Sequence, residues 1–422
     1  AVIHDAPSDL DLFFLMALNE YLSATGDLAF LDSEVPFYPP ERHNVLPNGA
    51  HGTTVLDHVR CAINHLIYQV RRGEHGLIQI GDGDWSDGIV FEDCVKYGGL
   101  AALQWFANSR LHGESIPNTQ MALYVLPITQ AILQERDPEF AEALQEFCAG
   151  LSDALQKQWN GRWYTRALLR DQFNGVVVVD NEQINLEAQP WALISRDAAA
   201  RGTDQALVKS ITELLDFPSK TGAVTQENGL IWPAVSQLLT WGYCHSAPEW
   251  AWRSLLRQTL AVHAEIFPET WVGVWTAPDA TFTKTSKENP GGAWQSAATP
   301  MIDFPAMNSN AHAMPLLGLL RVCGIEPSPD GNGLLIDPHV PRDTFTLDTP
   351  LLRLQIAPGS ISGDYRAIVN GERTLYVSVP ADVIQITVVI GEREFPAART
   401  MPVEVPLNLI AGAETHFEVR WQ

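Results

Sequence analysis

The hydrophobic period of the chain changes once, near Gly324, and that change narrows what the chain can fold into. Before it, apolar residues recur at helical spacing over 10–25, 53–72, 98–110, 117–135, 138–157, 187–199, 204–215, 233–244, 249–265 and 306–322. Gly26 stops the first segment, and Thr53 or Thr54 caps the second. Pro127 predicts a kink or a boundary within the fourth. Helix, loop, helix without intervening strands argues for paired helices. Pro327, Pro329, Asp330, Gly331 and Gly333 then make a hinge. From Thr344 the period is two, in short runs parted by Gly, Pro and Asp, which predicts a β-sandwich. The expectation is a mainly α chain: helices over 1–325, a linker over 326–343 and an all-β sandwich over 344–422.

Charge narrows the partners. Lys plus Arg number 27 and Asp plus Glu 50, a net charge of −23 that repels nucleic acid and anionic membranes. No apolar run is long enough to cross a membrane, and the expected location is the cytoplasm. Five widely spaced Cys read as free buried thiols. His58 and His65 share a helix face with no third ligand in register, so no metal is expected.

Gly81-Asp82-Gly83-Asp84-Trp85-Ser86-Asp87-Gly88 is a poor helix and a poor strand, and reads as a tight loop. Crowded carboxylates can hold one acid protonated, and a flat ring can take the face of a pyranose. Two other readings compete. An Asp/Gly-rich surface turn has the same composition. A calcium loop accepts Asp82, Asp84 and Ser86 as its first ligands, but needs Gly where Asp87 stands.

Three more clusters carry chemistry: Arg162-Trp163-Tyr164-Thr165-Arg166, the stretch from Glu182 to Trp191 with Glu187 and Gln189, and Glu227-Asn228-Gly229 with Trp232 nearby. Cleaving a glycoside needs a proton donor plus either a carboxylate that activates water or an anion that attacks. The loop offers donors, and Glu182, Glu187 and Glu227 offer bases. Arg162 and Arg166 either hold sugar hydroxyls or pair with acids. No dinucleotide fingerprint follows a strand, and no serine or thiol nucleophile has its local context.

The motifs fall in an ordered series over roughly residues 1–340. Glu20-Tyr21, Thr25-Gly26-Asp27 and Phe30-Leu31-Asp32 precede Gly83-Asp84-Trp85-Ser86-Asp87-Gly88 and Gly113-Glu114-Ser115. Gly161-Arg162-Trp163-Tyr164 with Arg166, Gln189-Pro190-Trp191-Ala192, Glu227-Asn228-Gly229 and Ala277-Pro278-Asp279 follow. Gly324-Ile325-Glu326-Pro327 and Gly333-Leu334-Leu335-Ile336-Asp337-Pro338 close it. In this series the chain resembles glycoside hydrolase family 94, with its cellobiose and chitobiose phosphorylases and cyclic β-1,2-glucan synthases. The resemblance implies an (α/α)6 catalytic barrel over 1–325 followed by a β-sandwich. It implies Asp87 as general acid, Trp85 as the ring under the sugar, and inversion at the anomeric carbon with phosphate or water. Ser86 stands where the family has Asn.

Two departures shape the expectation. Phosphorolytic members carry a His just beyond Glu-Asn-Gly, where this chain reads Leu230-Ile231-Trp232-Pro233-Ala234. Their Trp-Leu-Thr-Gly hydroxyl survives only as Ser296. The leading expectation is hydrolysis of β-glucosidic linkages in gluco-oligosaccharides, with Asp87 as acid and Glu227 as base. Asp84, Trp85, Arg162, Trp163, Arg166, Gln189 and Trp232 would bind sugar, and no cofactor is needed. The alternative is phosphorolysis to α-glucose 1-phosphate, with inorganic phosphate as co-substrate held by Ser296 and by His245 or His312. A third reading is a non-catalytic carbohydrate-binding subunit. The family barrel starts before the point matching residue 1. A second polypeptide is therefore expected to supply helices and a sugar-binding Arg-Asp…Gln-Asp segment against a buried N-terminus, and an oligomer is also open.

Overall fold

A computed structural model of the chain describes residues 7–37, 53–86, 88–92, 97–227, 229–270, 280–287, 289–294, 309–397 and 401–422. The contacts divide the chain into two compact units. One comprises Ala1–Leu12, Leu66–Tyr124 and Cys148–Val322; the other comprises Phe13–His65, Val125–Phe147 and Cys323–Gln422. Part of the helical stretch expected over 1–325 thus groups with the strands, because grouping follows tertiary contact and not chain order.

The helices are α1 (Leu10–Thr25), α2 (Val55–Asn64), α3 (Ile89–Glu92), α4 (Gly99–His112), α5 (Ile116–Leu133), α6 (Pro138–Cys148) and α7 (Leu151–Gln156). They continue with α8 (Pro190–Ile194), α9 (Asp197–Ala200), α10 (Asp204–Ile211), α11 (Pro233–Ser246), α12 (Pro248–Arg257), α13 (Leu260–Ile266) and α14 (Ser309–Val322). Thr54 caps α2 by a reciprocal box with Asp57, satisfying two otherwise orphaned N–H groups. Helix α5 continues through Pro127. The helix expected over 138–157 breaks at Gly150, whose φ of +80° suits glycine, and the one over 249–265 breaks at Gln258 and Thr259. None of the described helices is long and apolar enough to cross a membrane.

Helix α11 is the centre of the first unit. Every residue from Ala234 to Cys244 is buried, and α8, α12 and α14 pack around it. A helix buried all round needs neighbours on every side. Close approach is permitted by Gly242, where a Cβ would lie 2.9 Å from Leu193 Cβ. Trp191 and Trp241 meet edge to face with ring centroids 5.8 Å apart.

Strands that helical spacing did not announce also occupy this unit. β1 (Ile78–Gln79), β2 (Glu114–Ser115), β3 (Ala167–Arg170) and β4 (Val176–Val179) form an antiparallel sheet in that order. β5 (Leu230–Ile231), β6 (Ala280–Phe282) and β7 (Ala293–Trp294) form a second.

In the second unit the first two strands are β8 (Ile325–Pro327) and β9 (Gly333–Ile336), both within or at the edge of the stretch expected as a linker. Then come β10 (Phe345–Asp348), β11 (Leu352–Ala357), β12 (Ser360–Arg366), β13 (Gly371–Val377), β14 (Ile386–Ile390), β15 (Arg393–Pro396), β16 (Val403–Leu409) and β17 (Glu414–Trp421). One sheet runs β10-β11-β12-β17-β14-β15 and the other β16-β13-β9-β8, with β9 and β13 parallel. Along β16, Val403, Val405, Leu407 and Leu409 are buried while Glu404, Pro406 and Asn408 are exposed. These buried residues join Leu352, Leu354, Phe417 and Val419 of the other sheet in one core, so the two sheets face each other as a sandwich.

Cys61, Cys148, Cys244 and Cys323 are free thiols. Burial pushes the Cys148 thiol up to about 12, against the pull of Arg72, and the Cys323 thiol up to about 11. Cys94 lies outside the described residues.

Candidate active site

The Asp/Gly loop is pinned from several sides. Pro7 bridges to Gly81, and Ser8 donates to the Gly83 carbonyl from its N–H (3.0 Å) and from its hydroxyl (3.1 Å). The Asn118 amide on α5 donates to the Ser8 hydroxyl at 2.9 Å. Gly81 takes a φ of +64° that lets the strand end turn into the loop.

Asp84 sits at the centre and is 1% exposed. Arg166 grips it as a fork, Nη1 to Oδ2 at 2.8 Å and Nη2 to Oδ1 at 2.6 Å. The Ser115 hydroxyl donates to Oδ2 at 2.6 Å and the Ser86 N–H donates to Oδ1 at 3.0 Å. The small sheet delivers these groups: Ser115 of β2 pairs with Ala167 of β3, and Arg166 immediately precedes Ala167. Arg166 also donates from Nε to Glu187 Oε2 at 2.7 Å, so one buried guanidinium bridges two carboxylates. Burial drives the Asp84 carboxyl upward, but Arg166 and the two further hydrogen bonds overcome it and hold Asp84 below the usual range. Glu187 goes the other way: burial, with Asp84 and Asp180 nearby, raises it despite Arg166. Burial pulls Arg166 down, and the two carboxylates more than reverse that.

Beside Ser115, Glu114 is fully buried. It accepts N–H bonds from His75 and Leu77, each at 3.1 Å, and a His75 Nδ1 contact at 2.5 Å. In the sequence Glu114 and Ser115 stand only as part of the motif Gly113-Glu114-Ser115, which names no partner.

The rings of Trp85 and Trp232 lie 5.7 Å apart, tilted by 48°. Sequence reasoning placed both with sugar, and the fold brings them together. Trp163 is buried, donates to the Asp180 carbonyl at 3.3 Å, and carries the exposed Arg162 guanidinium 4.7 Å over its ring. Gln189 is fully buried; its amide bonds the Tyr164 N–H, the Tyr164 carbonyl and the Asn185 carbonyl, all backbone. Glu227 is exposed on a turn and lines a cavity with Lys220 and Lys284. Glu182 is exposed and accepts from Asn181. His245 stands on α11 with Nδ1 3.3 Å from Arg196. Asp87, Ser296 and the His312 side chain lie outside the described residues. Those described hold no group of three metal-ligating side chains together.

Comparison with known proteins adds the family. The model described as "Glycosyl hydrolase 94 superfamily, catalytic domain" matches residues 2–237. A solabiose phosphorylase of Paenibacillus borealis is 30% identical over 50% of this chain and 24% of its own length. A 3-O-beta-D-glucopyranosyl-beta-D-glucuronide phosphorylase of the same organism is 24% identical over 90% of this chain and 49% of its own. An N,N'-diacetylchitobiose phosphorylase of Vibrio furnissii is 23% identical over 49% of this chain and 22% of its own. The chain thus spans about half the length, or less, of these relatives. With its model matched over more than half of the sequence, the chain belongs to the glycosyl hydrolase 94 superfamily.

Proposed function

We propose that the chain carries the catalytic part of a glycoside phosphorylase that cleaves a β-linked disaccharide with inorganic phosphate and inverts the anomeric carbon. The observation that carries it is the loop holding Asp84 and Trp85: Arg166 ties Asp84 to Glu187 from outside the loop, and the Trp85 ring lies 5.7 Å from that of Trp232. Three relatives named as phosphorylases support phosphate over water as the attacking group. The helices belong, in this reading, to an (α/α)6 barrel.

Asp84 has the place of a loop anchor: ionised and gripped by Arg166, it fixes the part of the loop that carries Trp85 and Ser86. Trp85 and Trp232 offer ring faces to the pyranose. Asp87 donates its proton to the glycosidic oxygen as that bond breaks. A phosphate oxygen attacks the anomeric carbon from the opposite face, releasing the acceptor sugar and a sugar 1-phosphate of inverted configuration.

Incubation with β-linked gluco-disaccharides, with and without phosphate, tests this. Sugar 1-phosphate formed only with phosphate is the expected result. Asp87→Asn lowers the rate by about 10²–10⁴-fold while the fold is kept; undiminished turnover removes Asp87 from the role. Hydrolysis stands as the second reading, because Ala234 and its neighbours offer no His to phosphate. Phosphate-independent release of free sugar decides for it.

A further inference from the structure

A cavity of about 560 Å³ opens in the first unit. It lies within the about 300–1,000 Å³ common for small-molecule sites. None of Asp84, Trp85, Arg166 or Glu187 lines it. Its lining combines the hydroxyls of Ser219, Thr221 and Thr283, all buried, with the ring of Phe267 and the exposed Lys220 and Lys284.

The two lysines are the informative part. The chain has only Lys96, Lys157, Lys209, Lys220, Lys284 and Lys287, so a third of its lysines line one cavity of a protein carrying −23. Among the described residues, neither Lys220 nor Lys284 makes an ion pair. Two carboxylates share the lining, and Glu213 is 4.0 Å from Lys209, which partly offsets it. Glu227 remains as a carboxylate that accepts hydrogen bonds.

Both lysine-bearing walls are braced. Arg257 on α12 bonds Asp216 Oδ1 at 2.6 Å and the Asp216 carbonyl at 2.8 Å. It also donates to the carbonyls of Ser219 and Lys220. One guanidinium therefore fixes the turn that presents Lys220. Lys284 follows β6, where the Thr283 and Thr285 hydroxyls bond at 3.0 Å. The hairpin returns over Phe267: a Cβ on Gly291 would come 2.2 Å from its ring, and His263 Nε2 bonds the Gly291 carbonyl at 2.9 Å. Preorganised walls lower the cost of binding.

A bare anion would have no use for the ring and would meet the Glu227 charge. A neutral sugar would make no charge-assisted use of Lys220 and Lys284, which both line the cavity. We propose that this cavity binds a sugar bearing an anionic group, with its hydroxyls on Ser219, Thr221, Thr283 and Glu227 and its charge between Lys220 and Lys284. The anion is a carboxylate or a phosphate ester, and the experiment separates the two.

The test is isothermal titration of the 422-residue chain with glucuronate, glucose 6-phosphate, glucose and inorganic phosphate. At least one anionic sugar binds, glucose binds about tenfold more weakly or not at all, and Lys220→Ala and Lys284→Ala each weaken the anionic sugar about tenfold. The stronger of glucuronate and glucose 6-phosphate names the anion. Both lysines are exposed, so their thermal melts match the parent. Equal affinity for glucose, or affinity unchanged in both variants, overturns the proposal. Inorganic phosphate binding as tightly as the sugars, with the same lysine dependence, also overturns it and leaves an anion site only. The readout is binding, so it stands or falls independently of turnover at the Asp/Gly loop.

Discussion

Asp84 and Glu187 share one guanidinium and respond to pH in opposite senses. Asp84 has a folded value below its unfolded value of about 3.9. The stability it contributes is present above that unfolded value and is lost as pH falls through the lower folded one. Glu187 has a folded value above its unfolded value of about 4.3, so its ionisation at neutral pH opposes folding, and the penalty lifts as pH falls towards that value. Urea unfolding across about pH 3 to 7 reads both. Relative to the parent, Asp84→Asn loses stability as pH rises through the lower window, and Glu187→Gln gains stability as pH rises through the upper one. Parallel curves for the two variants would contradict the assignment. Arg166→Met leaves the buried Asp84 and the partly buried Glu187 without their cation and costs about 3–5 kcal/mol. A midpoint shift equivalent to under about 1 kcal/mol would mean that water replaces the guanidinium.

Strand β9 shows how a whole element depends on one missing side chain. A Cβ on Gly333 would lie 1.8 Å from the Thr374 carbonyl oxygen of β13, a backbone atom that cannot swing aside. Gly333→Ala therefore costs about 3 kcal/mol, at the upper end of overpacking, in a thermal melt of the chain. A variant melting with the parent would show that the β9–β13 spacing yields. Other elements were legible beforehand to different degrees. The bounds of α1 coincide with the apolar run from Leu10 to Gly26, because propensity, pattern and a glycine stop agree there. The strands β1 and β2 are two residues long, too short to show any period. β3 is buried on both faces, so alternation is absent.

For the whole chain, 50 acidic against 27 basic side chains make self-repulsion a standing cost of compactness. Exposed charges are screened as the Debye length falls from about 30 Å at 0.01 M salt to about 10 Å at 0.1 M. The melting temperature is expected to rise over that interval, read by circular dichroism in sodium chloride. A fall would place attractive ion pairs, such as Arg136 with Asp32, above the net repulsion.

The sequence by itself determined the broad class of the fold, a mainly helical stretch followed by the strands of a sandwich after Gly324, and a family readable from ordered motifs around Asp84-Trp85 and Gln189-Pro190-Trp191. Those features are local, carried by period, turn residues and short motifs. It also brought Arg162 and Arg166 forward together, with two roles open for each. Only the tertiary structure separated them, one exposed over Trp163 and the other buried between Asp84 and Glu187. Asp84 and Arg166 are 82 residues apart, and no local pattern encodes a bond across that distance. The grouping of Phe13–His65 and Val125–Phe147 with the strands was hidden for the same reason. Periodicity tells which face of a segment is buried, and tertiary packing decides what buries it.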